Sequence, residues 1–168
     1  MRHLLERTVL TWTLLGGAVL LLIVLLTVLN VAGFSANEVA QRFGGAVSAL
    51  PGYEELVTLW ISCAALMFFP YCQWRRGHVA VDIVTDRLPR WARRLSDGLS
   101  LLGMGILALF LAYWMLIGML EVRADGVISS ILGWPQWPFY LPGIASLLLW
   151  AAVVGLHLHD FRHRRWPP

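Results

Sequence analysis

The sequence predicts an all-α membrane protein with four transmembrane helices, both termini cytoplasmic, and an amphipathic cytoplasmic segment between helices 2 and 3. Three observations predict it. Hydrophobic residues make up 58% of the chain and charged residues 14%, a balance typical of membrane proteins rather than soluble domains. Four long apolar runs fall at about 8–34, 53–73, 96–120 and 138–158, each near the ~20 residues that carry a helix across ~30 Å of hydrocarbon. All 13 basic residues are arginine, and they are unevenly shared. Eleven of them precede the first run, separate the second from the third, or follow the fourth; only Arg42 and Arg123 lie in the other two connections. By the positive-inside rule this places both ends and the middle loop in the cytoplasm. The 168 residues therefore read as a single four-helix domain over 1–168 with no soluble catalytic domain.

The first run follows Arg2 and Arg7, as a secretory signal would. Its apolar stretch exceeds the 7–15 residues of a signal peptide and no small-residue cleavage site follows, so it is expected to remain as an anchor. Gly16, Gly17 and Asn30 are its notable breaks, and its length calls for tilt or protrusion. Ser35-Ala-Asn-Glu38 then has the form of a capping box. With Val39, Phe43, Val47 and Leu50 at near-helical spacing, it predicts a short amphipathic helix on the outer face, ended by Pro51-Gly52.

Span two opens on Tyr53-Glu54-Glu55, and Pro70 should kink it near its cytoplasmic end. Cys63 and Cys72 lie nine residues apart along it, about 13 Å on a helix and too far to bridge; they read as small apolar filler. Span three begins near Ser96 and carries the small residues Gly105, Ala108 and Ala112. Span four follows Trp137-Pro138 and carries Ala151 and Gly155. Such positions let helices approach closely in lipid. Trp74, Trp91, Trp134, Trp137 and Trp166 fall at span ends, where an indole suits the headgroup layer.

The polar segment from Trp74 to Arg94 divides into two faces. Val81, Val84, Leu88, Trp91 and Leu95 share one; His78, Asp82, Asp86, Arg90, Arg93 and Asp97 share the other. An interfacial amphipathic segment follows, with Pro89 kinking it or starting a second short helix. His78 can pair with Asp82, Asp86 with Arg90, and Arg93 with Asp97, each about one turn apart. Arg75, Arg76, Arg90, Arg93 and Arg94 suit anionic lipid headgroups; the same face could instead dock another subunit. Glu54 and Glu55 sit in the first turn of span two, where a carboxylate complements the helix dipole, and close to water for an ion-handling role.

Few chemistries survive. His159 and His163 have metal-ligand spacing but stand among Arg162, Arg164 and Arg165 with no cysteine or glutamate partner. Haem would need histidines within facing spans, and His3, His78, His157, His159 and His163 all lie towards span ends. No phosphate-binding loop, dinucleotide motif, catalytic triad or helix-borne zinc motif occurs. No cofactor, nucleic acid or enzymatic activity is expected. A transporter acting alone would carry a mid-span charge or paired broken helices, so the chain reads as an accessory subunit.

The order of features resembles the small membrane subunit of tripartite ATP-independent periplasmic (TRAP) transporters over nearly the whole chain. The resemblance rests on Tyr53-Glu54-Glu55-Leu56, on Arg76-Gly77-His78-Val79-Ala80-Val81-Asp82 followed by Leu88-Pro89, and on Gly133-Trp134-Pro135-Gln136-Trp137 through Tyr140-Leu-Pro142-Gly143. It implies residence in a bacterial or archaeal inner membrane beside a large multi-span subunit and a periplasmic substrate-binding protein. It also implies sodium-coupled import of organic anions of the dicarboxylate, keto acid or sialic acid class, with this chain bracing the large subunit. Glu55, His78 and Asp82 match the family's most recognisable polar residues. Asn30 and Phe69-Pro70 depart from the family's usual arginine and Gly-Ala. The competing reading is a stand-alone structural or assembly membrane protein with no transport role.

Overall fold

The computed structural model describes residues 2–43, 52–75 and 89–162, apart from the side chains of Arg90 and Arg93. Four helical stretches are long and apolar enough to cross a membrane: Arg2–Arg42, Tyr53–Trp74, Arg94–Ala124 and Trp137–Arg162. The first is one unbroken helix, α1 (Arg2–Arg42), about 61 Å long at 1.5 Å per residue. This corrects the expectation of a separate outer helix starting at Ser35. A capping serine needs non-helical backbone and an orphan amide to accept from; here the helix continues through residues 35–42. Ser35 Oγ instead donates back to Val31 O at 3.1 Å. The expected members Val47, Leu50 and Pro51 lie outside the described residues.

Span two is two helices, α2 (Tyr53–Met67) and α3 (Phe69–Trp74). Pro70 lies in the first turn of α3, where its missing N–H is least costly. The expected kink therefore takes the form of a joint at Phe68, whose N–H bonds Ala65 O at 3.3 Å while Cys72 N–H takes up Phe68 O at 3.0 Å.

Span three lies within α4 (Arg90–Ala124). Pro89, with φ −62° and ψ 150°, stands just before it as the N-cap. Pro89 thus starts a helix of 35 residues rather than a short one; Trp91 lies in its first turn, and Arg94 and Leu95 open the membrane-spanning part. At its far end Gly126, at φ +62°, closes a Schellman motif: Gly126 N–H bonds Arg123 O and Val127 N–H bonds Val122 O, taking up carbonyls that the helix leaves without partners. A 3₁₀ turn (Trp137–Phe139) leads into α5 (Tyr140–Arg162).

Packing orders the spans one, two, four, three. α1 lies on α2 and α3, these lie on α5, and α5 lies on α4, so α1 and α4 form the edges. The core sits between α4 and α5: Ala108, Ala112, Leu147, Trp150 and Val154 are buried, flanked by Leu66, Met104, Met115 and Ala151. The small residues of span three thus do the work expected of them. A Cβ on Gly105 would stand 3.2 Å from Val154 Cγ1, and one on Gly143 would overlap Met115 and approach Leu66 Cδ1 to 3.0 Å. Gly155 departs from expectation: it is exposed, with open space where a Cβ would be.

Polar cross-links fix the heights of the helices. Thr13 Oγ1 donates to Met67 O at 3.3 Å, and Tyr53 Oη donates to Thr27 Oγ1 at 2.8 Å. Trp12 Nε1 donates to Ser146 Oγ at 2.8 Å, and Trp150 Nε1 to Gln73 Oε1 at 3.2 Å. α1 and α2 therefore run antiparallel in register, and α1 continues about 22 Å beyond the level of Thr27 and Tyr53.

Candidate functional site

Among the described residues, five hydrogen bonds gather around Glu55, where span two begins. Gly52, buried and at φ +78°, is the N-cap of α2. A left-handed backbone at this point suits glycine, and a Cβ there would come within 2.9 Å of Leu132. Glycine offers no side chain to cap the helix, and three residues on stands Glu55. In a capping box a glutamate at this position turns back to its own helix start. Glu55 instead reaches the connection between spans three and four.

That connection is a small hairpin. Ile128 and Pro135 form an antiparallel bridge. Ser129 N–H donates to Trp134 O at 2.8 Å, and Gln136 N–H to Val127 O at 3.2 Å. Gly133, at φ +66°, turns the tip, its N–H bonding Ser129 O at 3.0 Å. Within the tip, the N–H groups of Ser130, Ile131 and Leu132 converge on Glu55: Ser130 on Oε1 at 2.9 Å, Ile131 and Leu132 on Oε2 at 3.0 and 3.4 Å. Ser129 Oγ donates a short hydrogen bond to Oε2 and accepts one from Leu132 N–H at 3.2 Å. A carboxylate is an acceptor at both oxygens, and successive amides of a turn make a concave anion receptor. The clasp therefore ties the start of α2 to the hairpin between α4 and α5. Cys63 Sγ adds a contact 2.7 Å from Phe139 O, so this thiol meets a backbone carbonyl of the neighbouring span as well as filling space. Arg123 lies over the Trp137 ring at 5.1 Å.

Glu54 is exposed and takes no part in the clasp. The sequence placed both glutamates in a dipole-complementing first turn; the structure separates their roles.

The opposite end gathers the arginine-rich segments. Arg2 pairs with Asp160 at 3.6 Å, Trp74 lies against His157, and Arg94 sits 5.3 Å over Phe161. The first turn of α1, the end of α3, the start of α4 and the end of α5 thus share one side of the array. Arg75 and Arg94 are exposed there. Arg90 lies in the first turn of α4 and Arg93 close behind. Arg76, His78, Asp82 and Asp86 lie outside the described residues. Just inside this end, Trp150 stacks on Phe69 at 5.3 Å and binds the buried Gln73. No group of three His, Cys, Asp or Glu side chains able to hold a metal occurs among the described residues.

Sequence reasoning missed the receptor for Glu55 and the inter-span hydrogen bonds. Ser129 and the αL Gly133 were the available signals, but backbone amides leave no mark in side-chain type.

The described residues thus place a clasp at one end, aromatic and ionic contacts at the other, and an apolar interior between. Residues 38–162 match the family model described as tripartite ATP-independent periplasmic transporters, DctQ component. No curated protein matches the chain.

Proposed function

Because the chain belongs to the DctQ family of tripartite ATP-independent periplasmic transporters, we propose that it is the static membrane subunit of such a transporter, bracing a large substrate-moving subunit. The observation that carries the reading is the family match across residues 38–162, which takes in the clasp and three of the four spans. DctQ is a transporter-component family, not an enzyme family. The architecture supports a brace: α1 and α4 expose long apolar faces, and the inter-span hydrogen bonds hold the array at fixed heights.

In this reading the arginine-rich end faces the cytoplasm and the Glu55 clasp faces the periplasm, in keeping with the positive-inside rule. Arg75, Arg76, Arg90, Arg93 and Arg94 meet anionic headgroups. The segment around His78 and Asp82, up to Pro89, forms an amphipathic cytoplasmic element that takes part in assembly. The complete transporter takes an organic anion, of the dicarboxylate, keto acid or sialic acid class, from a periplasmic binding protein and couples its import to sodium. Selectivity belongs to those partners, and no step passes through this chain's side chains.

Co-expression with the large subunit, followed by purification through a tag on this chain, tests the reading. The large subunit is expected in the eluate at a fixed ratio. Recovery of this chain alone would favour the stand-alone structural protein.

A further inference from the structure

We infer that the face of α4 carrying Phe110, Tyr113 and Trp114 is the surface on which the large membrane subunit packs, with Tyr113 Oη and Trp114 Nε1 donating to acceptors on that subunit. The inference rests on the subunit reading above and adds to it the surface.

Arg94 and Arg123 stand about 44 Å apart along α4, close to the ~40–45 Å of a bilayer with its headgroups. Tyr113 lies about 15 Å inside the Arg123 level and so about 7 Å from the midplane, well within hydrocarbon. It is 60% exposed and Trp114 55%. Neither Tyr113 Oη nor Trp114 Nε1 has a hydrogen-bond partner among the described residues. Helical side chains lean towards their helix's N-terminus, which in α4 is the arginine-rich end. Both groups are therefore carried towards the midplane and away from the nearer headgroups, so they cannot reach water.

A polar hydrogen left without an acceptor in lipid is costly. Trp12, Tyr53 and Trp150 each donate to another span. Trp60 Nε1, which has no acceptor among the described residues, is enclosed rather than turned outward.

The other edge differs in kind. From Leu14 to Leu26, α1 presents only aliphatic residues and glycine, with Leu14, Leu21 and Leu25 among the most exposed. Lipid chains satisfy such a face completely. On α4, Phe110 and Tyr113 instead pack edge-on around Trp114, with ring centroids 6.2 and 5.9 Å away. The result is a pre-formed aromatic patch of limited side-chain entropy, a composition enriched at protein interfaces. An occupant offering carbonyl or carboxylate oxygens at that depth is a protein, and in this family the protein available there is the large subunit.

Photocrosslinking in the co-expressed pair tests the surface. p-Benzoylphenylalanine is placed singly at positions 110 and 113 of α4 and at positions 21 and 25 of α1. Adducts with the large subunit are expected from the α4 positions and not from α1. Adducts only from α1, adducts only with a second copy of this chain, or no adduct from α4 in an intact pair would overturn the surface while leaving the subunit reading standing. Failure of the pair to co-purify would refute both. As a second measurement, Tyr113→Phe removes only the hydroxyl and is expected to weaken association about threefold to tenfold. Unchanged association in both Tyr113→Phe and Trp114→Phe would contradict the assigned hydrogen bonds.

Discussion

Gly16 and Gly17 are neighbours in α1 with opposite surroundings, and substituting each by alanine separates packing from helix propensity. A Cβ on Gly16 would lie 2.8 Å from Met67 Cβ, whereas one on Gly17 would meet nothing within 4 Å. Carbon atoms rest at about 3.5–4.0 Å, so G16A requires α1 and α2 to part by about 0.7–1.2 Å. No rotamer change relieves the overlap, because Met67 Cβ is fixed to the backbone. The same movement stretches the 3.3 Å bond from Thr13 Oγ1 to Met67 O beyond hydrogen-bonding range. Overpacking costs about 1–3 kcal/mol and the lost hydrogen bond about 0.5–1.5 kcal/mol. Both variants gain the same helix propensity over glycine, which cancels between them. G16A should therefore be less stable than G17A by about 1.5–4.5 kcal/mol. Unfolding in detergent, followed by tryptophan fluorescence, measures the difference. Equal stability of the two variants, or a less stable G17A, would refute the packing of α1 on α2 described here.

Three further outcomes follow from the same geometry. Glu55→Ala leaves the amides of Ser130, Ile131 and Leu132 without their acceptor, so these should exchange hydrogen faster while amides within α5 do not; unchanged protection would remove the clasp from the account. Trp150→Phe keeps an aromatic ring against Phe69 but strands the buried Gln73 Oε1, lowering stability by about 1–3 kcal/mol in the same unfolding assay; a neutral result would show Gln73 to be satisfied elsewhere. Single cysteines at Ser130 and Arg162, introduced after replacing Cys63 and Cys72, report orientation: an impermeant maleimide should label position 130 in cells with a permeabilised outer membrane, and position 162 only after the inner membrane is opened. The reverse pattern would invert the topology.

The four spans were legible because each is a long apolar run, and burying a helix's backbone in lipid demands little else. The order in which they pack was not legible. When every face is apolar, polarity no longer marks the inward side, and only small residues hint at it. Gly105, Ala108 and Ala112 gave that hint correctly, whereas Gly155, of the same type and spacing, faces outward. Ser35-Ala-Asn-Glu38 has the letters of a capping box, but the chain before it is helical and stays so, leaving no orphan amide to cap. Pro70 announced a break, and its position in the first turn of α3 shows how the break is accommodated. Glu55 stood out as polar, yet its partners are three backbone amides and a serine some 75 residues away, a pairing that no local pattern encodes. That Tyr113 faces outward and has no hydrogen-bond partner among the described residues became visible only in the structure.

Uptake of a labelled organic anion into proteoliposomes holding the large subunit, with the binding protein outside and a sodium gradient imposed, tests the proposed role most directly. Adding this chain should be required for uptake, and vesicles containing this chain alone should pass none. Full uptake without it, or solute flux through it by itself, would contradict its place as the brace of a larger machine.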